Sequence, residues 1–209
     1  MNESVAIRVL IVDDHAIVRQ GLAAMIENEP DMTVVGQGGN GREAIALFQN
    51  HQPDVTLMDL RMPQMSGVDA TEAICTEFAD ARIIILTTYD GDEDIYRGLC
   101  TGAKGYLLKD VEPDALINAI HTVHEGQQYI PPDVAAKLVQ RMNNPELSDR
   151  ESQVIALMVH GLSNHDIGTT LNITESTVKF HVNRILSKLG VSDRTQAVVT
   201  ALKRGIAKL

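Results

Sequence analysis

Five short aliphatic runs, each followed by a segment with helical spacing, constrain this chain most. They are Ile7–Val12, Met32–Gly36, Asp54–Met58, Arg82–Leu86 and Gly105–Leu108. Runs this short and this rich in Val, Ile and Leu read as buried strands. A helix begins near His15, with Ile17, Val18, Leu22, Met25 and Ile26 as its apolar face. Further helices are expected over 42–50, 68–78, 92–101 and 113–125. The last has Pro113 in its first turn and Gly126 after its end, as helix termini favour. Strands alternating with helices imply an α/β fold: a doubly wound (βα)5 parallel sheet covered on both faces. Gly38-Gly39-Asn40-Gly41 matches no dinucleotide or phosphate-loop fingerprint and reads as a turn.

In an open sheet of this kind, chemistry collects at the carboxyl ends of the strands. Asp13-Asp14, Asp59, Thr87 and Lys109 all fall there. Two adjacent acids at a strand end repel each other unless a cation lies between them. Alternatively, Asp14 merely caps the following helix, worth about 1 kcal/mol. Mg²⁺ suits such a site, since it takes few carboxylates, keeps waters and binds phosphate. Asp59 can act as a nucleophile that accepts a phosphoryl group. Thr87 and Lys109 can bind the phosphoryl oxygens through a hydroxyl and an ammonium. Each residue alone has a plainer reading: a turn Asp, a strand-end hydroxyl, a surface Lys. Their coincidence at the strand ends favours a pocket.

Charge divides the chain. Residues 1–125 hold 8 basic and 21 acidic residues, whereas residues 146–209 hold 8 and 6. The two parts therefore have different partners. Cys75 and Cys100 form no ligand or redox motif and are expected to be buried free thiols in a reducing compartment. Residues 1–14 lack the pattern of a signal peptide. No apolar run reaches spanning length, so no membrane partner is expected and a cytoplasmic location is.

The expected domains are 1–126, a linker over 127–146, and 147–209. Pro131-Pro132 and Asn143-Asn144-Pro145 bracket a short helix over 133–142 in the linker. The last domain is all-α with four helices. Ser148 and Glu151 form a capping box for the first. The second starts at Ser163-Asn164 and buries Ile167 and Leu171. Thr174 caps the third, and Ser192 or Asp193 the fourth, whose apolar face is Thr195, Val198, Val199, Leu202 and Ile206.

The third helix buries Val178, Val182, Ile185, Leu186 and Leu189. At about 100° per residue, Ser176, Phe180, Asn183 and Ser187 face the other way, flanked by Thr177, Lys179 and Arg184. A stray surface Phe is unremarkable alone. In a helix-turn-helix it has a use, because the second helix of that motif enters the major groove. Phe180 then meets a thymine methyl and Asn183 pairs with adenine. Ser176, Thr177, Arg184 and Lys188 serve phosphates.

Val12-Asp13-Asp14-His15, Leu57-Met58-Asp59-Leu60-Arg61-Met62-Pro63, Leu86-Thr87 and Gly105-Tyr106-Leu107-Leu108-Lys109 resemble the receiver domain of two-component response regulators. Leu147-Ser148-Asp149-Arg150-Glu151, Gly161-Leu162-Ser163-Asn164 and the stretch Ile173 to Val182 resemble the LuxR-type DNA-binding domain. So do Ile185-Leu186-Ser187-Lys188-Leu189 and Arg194-Thr195-Gln196-Ala197-Val198. Together they make nearly the whole chain similar to a NarL/FixJ-family response regulator. That resemblance implies that a histidine kinase phosphorylates Asp59. It places the backbone carbonyl of Arg61 in the Mg²⁺ site beside Asp13, Asp14 and Asp59. It makes Thr87 and Tyr106 a switch pair, in which the hydroxyl moves toward the phosphoryl group and the ring turns inward. It also implies base contacts from Lys179, Phe180 and Asn183, dimerisation on double-stranded DNA through the last helix, and RNA polymerase as an optional further partner.

Three departures from the family pattern stand out. His165-Asp166 replaces a basic residue followed by Glu, which alters a phosphate contact. Gly168 replaces Ala, at about 1 kcal/mol of helix propensity. Asn183 replaces the Lys of some members, which changes the operator. A metal-dependent phosphatase is the rival reading, but its general acid would stand two residues after Asp59, where this chain has Arg61. Slow self-phosphorylation from small phosphodonors and slow loss of the phosphoryl group are the only enzymatic steps expected, with Tyr89 shielding that group from water. A DNA-binding protein whose receiver only dimerises is the second rival.

Overall fold

The computed structural model describes residues 6–88, 92–143 and 147–207. The chain divides into two compact units, Met1–Val139 and Gln140–Leu209.

In the first unit, β1 (Ile7–Val12), β2 (Met32–Gly38), β3 (Val55–Met58), β4 (Ile83–Thr87) and β5 (Gly105–Leu108) form one parallel sheet in the order β2-β1-β3-β4-β5. The intervening helices are α1 (Ala16–Glu27), α2 (Gly41–His51), α3 (Gly67–Glu77) and α4 (Asp92–Cys100), and α5 (Pro113–His124) follows β5. Strand residues alternate between the two faces, as the twofold strand period requires. Val9, Ile11, Val55, Leu57, Ile84 and Leu86 pack with α1 and α5. Leu10, Val12, Met58 and Ile83 pack with α2 and α3.

The chain order reverses between β1 and β3, which opens a crevice at their carboxyl ends. Val12 pairs with Met58, so Asp13 and Asp59 emerge side by side.

The apolar face expected for α1 is partly wrong. Leu22, Ala23 and Ile26 are buried, but Ile17 is 85% exposed and Met25 is exposed too. Ile17 sits in the first turn, at the strand-end rim of the sheet, where the core has not yet begun. Cys100 is exposed and Cys75 half-buried, so only Cys75 approaches the expected environment. Burial pushes its thiol pKa up.

The segment after α5 rejoins the sheet. Tyr129 donates to the carbonyl of Lys104 and accepts from the N–H of Tyr106, bridging to β5 in parallel. Helix α6 (Pro132–Asn143) then places Val134 and Leu138 in a cluster with Leu60, Ile85, Ile95 and Tyr106. Part of the segment expected as a linker is therefore packed against the core of the first unit.

The second unit contains α7 (Asp149–Val159), α8 (Asn164–Leu171), α9 (Glu175–Leu189) and α10 (Arg194–Lys203). Ser148, Ser163, Thr174 and Asp193 cap them in turn. On α10 the buried residues are Ala197 and Ala201, with Val198, Leu202 and Ile206 packed beside them. Thr195 and Val199 face outward, contrary to the expected stripe. Small alanines at the contact let α10 sit close to its neighbours. Among the described residues, no helix is long and apolar enough to cross a membrane.

Candidate functional site

The first site is assembled from the ends of β1, β3 and β5. Lys109, just past β5, places its ammonium 2.6 Å from Asp13 Oδ2 and 2.7 Å from Asp59 Oδ2. Asp13 and Asp59 are 1% and 4% exposed, so this cation offsets much of the cost of burying their charges. Burial raises the pKa of Asp59, with the Asp13 charge adding to the rise and Lys109 opposing it. The backbone N–H of Arg61 also donates to the Asp59 carboxylate. Burial alone would lower the pKa of Lys109, but the two carboxylates hold its proton and the net shift is upward.

Backbone geometry fixes Asp59. Its N–H donates to the carbonyl of Val12 at 2.8 Å. The loop beyond it folds back so closely that a Cβ on Gly67 would lie 1.8 Å from the Asp59 carbonyl oxygen. Only glycine fits there. Ser66 caps α3 through the N–H of Asp69, which ends the loop. Arg19 reaches from α1 and donates to the carbonyl of Asp13, steadying the other side of the crevice.

Asp14 does not cap α1. His15 occupies that position and makes no side-chain cap bond. Instead the His15 Nδ1 lies 2.7 Å from Asp14 Oδ1 and 3.3 Å from Asp13 Oδ1. One ligand atom from each of Asp13, Asp14, His15 and Asp59 falls within 4.8 Å of the others. With bonds of about 2.1 Å, neighbouring ligands of a small octahedral cation stand about 3 Å apart. The donor types, three carboxylates and an imidazole gathered at one place, suit a divalent cation. His15 gave one signal in the sequence, its position directly after the paired acids.

Thr87 is fully buried at the end of β4, and its carbonyl accepts from the Lys109 N–H at 2.9 Å. The ring of Tyr106 is fully buried, inward, in the cluster that includes Val134 of α6. Tyr89 lies outside the described residues.

The second site is the outer face of α9. Ser176, Lys179, Asn183 and Arg184 are exposed, and Phe180 is 54% exposed. The Arg184 guanidinium lies 5.6 Å from the Phe180 ring centroid, a cation–π contact that holds the ring in place. Lys179 pairs with Glu175 at 2.8 Å, one turn earlier. The hydroxyls of Ser176 and Thr177 both lie 2.8 Å from that of Thr174.

Lys188 is placed differently from the other expected phosphate contacts. Its ammonium is 2.7 Å from Glu151 Oε2, and its side chain is mostly buried. Glu151 also lies 3.3 Å from Arg184 Nε and accepts from the N–H of Ser148. Burial raises its pKa, but the bonds from Lys188 and Ser148 outweigh burial and hold it below the usual range. A helical wheel of α9 alone cannot show this partner, which comes from α7.

The turn into α9 is tight. A Cβ on Gly168 would lie 2.8 Å from the carbonyl oxygen of Ile173, whose N–H bonds to the Gly168 carbonyl. The glycine thus provides close approach in exchange for helix propensity. Asp166 completes a capping box with Ser163, which accounts for an acid at that position. Arg150 and Arg194 bond to the carbonyls of Leu171 and Leu162, fixing the two ends of α8.

Comparisons with known proteins assign a family to each of the two units. Residues 9–121 match the response regulator receiver domain, and residues 145–201 match the luxR family of bacterial regulatory proteins. The transcriptional regulatory protein YxjL of Bacillus subtilis is 42% identical, over 97% of this chain and 98% of its own. LiaR of the same organism is also 42% identical, over 93% and 96%. RcsB of Salmonella enterica serovar Typhimurium, solved on promoter DNA with a phosphomimetic, is 26% identical with a TM-score of 0.77, over 95% of this chain and 98% of its own. The chain therefore belongs to the two-component response regulators of the LuxR/NarL type, transcriptional regulators that join a receiver to a helix-turn-helix DNA-binding domain.

Proposed function

We propose that Asp59 accepts a phosphoryl group from the phosphohistidine of a cognate histidine kinase, and that this drives dimerisation and sequence-specific DNA binding in the cytoplasm. The O–P bond to Asp59 forms as the N–P bond of the phosphohistidine breaks. The observation that carries this reading is the single ammonium of Lys109 shared by Asp13 and Asp59. It is poised to pair with phosphoryl oxygens as charge accumulates there. Asp13, Asp14, Asp59 and the Arg61 carbonyl would hold Mg²⁺, which supplies further neutralisation of the phosphoryl oxygens. Thr87 would bind one of those oxygens. Because Tyr106 and α6 share one apolar cluster, a shift of that ring would reach the segment leading to the DNA-binding domain. Phosphorylation then biases a two-state equilibrium.

On DNA, the outer face of α9 would enter the major groove, with Lys179, Phe180 and Asn183 at base edges and Ser176, Thr177 and Arg184 at phosphates. Lys188 would act mainly by holding α9 through Glu151. Half-sites would form an inverted or direct repeat. The chain itself would catalyse only slow self-phosphorylation from small phosphodonors and slow dephosphorylation.

The test compares the wild type with Asp59→Ala, each with and without acetyl phosphate and Mg²⁺. Intact mass, oligomeric state and affinity for a duplex selected from random sequence are read together. The wild type alone should gain one phosphoryl group, dimerise and bind more tightly. If both proteins dimerise and bind alike in all conditions, the receiver is a structural module and this reading fails.

A further inference from the structure

We propose that His15 is a metal ligand of the acidic pocket, and that its nitrogen makes the site prefer first-row transition ions over Mg²⁺. This deepens the cation role proposed above for the pocket and rests on it.

The two sides of the pocket have different partners. The Oδ2 atoms of Asp13 and Asp59 face the Lys109 ammonium. The Oδ1 atoms of Asp13 and Asp14 face the His15 imidazole, at 3.3 and 2.7 Å. These separations bracket the roughly 3 Å between neighbouring ligands of one small ion. The ring is therefore placed where a ligand belongs.

His15 is also held in that place. Its backbone N–H donates to Asp13 Oδ1 at 2.9 Å, and its extended backbone (φ −87°, ψ 106°) is that of a residue turning out of β1 into α1. A residue at a helix N-cap usually spends its side chain on the first free N–H groups. His15 does not, and its Nδ1 is directed at the acids instead. The ring is 68% exposed, so an ion can reach it from solvent.

Donor chemistry then decides which ion benefits. Mg²⁺ is hard, binds oxygen and keeps its waters. Mn²⁺ to Ni²⁺ and Zn²⁺ gain progressively from imidazole. A pocket of carboxylates plus one imidazole should discriminate between these groups, whereas carboxylates alone should do so less.

The test is calorimetric titration of the full chain with Mg²⁺ and with Ni²⁺, for the wild type, His15→Ala and Asp59→Ala. Removing His15 should weaken Ni²⁺ by at least about tenfold while leaving Mg²⁺ within about twofold. Ni²⁺ should also shift an imidazole proton resonance that is missing from His15→Ala. Asp59→Ala should weaken both ions. Equal changes for Mg²⁺ and Ni²⁺ in His15→Ala would reduce His15 to a surface ion pair and overturn the proposal. Ni²⁺ binding that survives in both variants would place the ion elsewhere, with the same consequence. Absence of Mg²⁺ binding in the wild type would instead remove the cation role of the pocket altogether.

Discussion

At the strand ends of the receiver, Asp13 and Asp59 are almost wholly buried and share one ammonium from a residue far along the chain. On α9, Ser176, Lys179, Asn183 and Arg184 stand exposed, and the Lys179 ion pair spans one helical turn. The pocket is thus made by the topology of the sheet, and the recognition face by the twist of one helix. Charge in the pocket is costly to leave unpaired and is held in fixed geometry. Charge on the α9 face is mostly solvated, with Arg184 also reaching the buried Glu151. Changing one residue should therefore affect stability in the first region and recognition in the second.

The largest effect is expected at Gly67. A Cβ there would meet the Asp59 carbonyl oxygen at 1.8 Å, with the Asp59 carbonyl carbon at 2.8 Å. These are backbone atoms, so the loop itself must move. Gly67→Ala should destabilise the receiver by about 3 kcal/mol or more, at the upper end for overpacking. Calorimetry of the full chain should show its receiver transition falling and the DNA-binding transition unchanged. A receiver transition that stays put would mean that the loop beyond Asp59 is far softer than its geometry implies.

The next effect crosses the contrast, because Glu151 is a buried charge in the DNA-binding domain. Glu151→Ala should lower that domain's stability by about 3 kcal/mol, since it removes the carboxylate that faces the mostly buried Lys188. The pH dependence sharpens the point. Glu151 is held below its ordinary pKa of 4.5, so its contribution is complete above that value and is lost as pH falls through the lowered folded value. In an acid series the wild type should lose more stability of this domain than Glu151→Ala. Parallel curves would show that the ion pair carries no net stabilisation.

These two residues mark what the sequence could and could not reveal. The order of strands and helices was legible because each run has its own period, and the meeting of Asp13, Asp59 and Lys109 followed because all three stand at strand ends. The Ser148–Glu151 capping box was legible too, as a local pattern. The pairing of Glu151 with Lys188 was not, since the two lie 37 residues apart. The same limit applies to Gly168, whose cost as a helix residue is visible locally but whose approach to Ile173 is not. It applies also to Tyr129 and Val134, which join the receiver on either side of a Pro-Pro break that reads as a boundary. Amphipathic faces erred at Ile17 and Val199, which are exposed because packing there is set by neighbours rather than by period.

The smallest effect on stability is expected at Phe180, and it isolates the recognition face. The ring is 54% exposed, with the Arg184 guanidinium and the steeply tilted His181 ring beside it. Phe180→Ala should change stability by no more than about 0.5 kcal/mol, as for other surface sites. If the ring meets a thymine methyl, specific affinity should fall about tenfold or more, within the range for discrimination at one base pair. Arg184→Ala makes the complementary case. If Arg184 serves a phosphate, this change should weaken binding to all sequences alike and reduce the salt slope by about one. Phe180→Ala should leave that slope unchanged. The two variants together separate base reading from phosphate attraction on one helix face. If Phe180→Ala instead lowered the unfolding temperature and left DNA affinity intact, the ring would belong to the fold, and the contrast between a buried pocket and an exposed reading face would not hold.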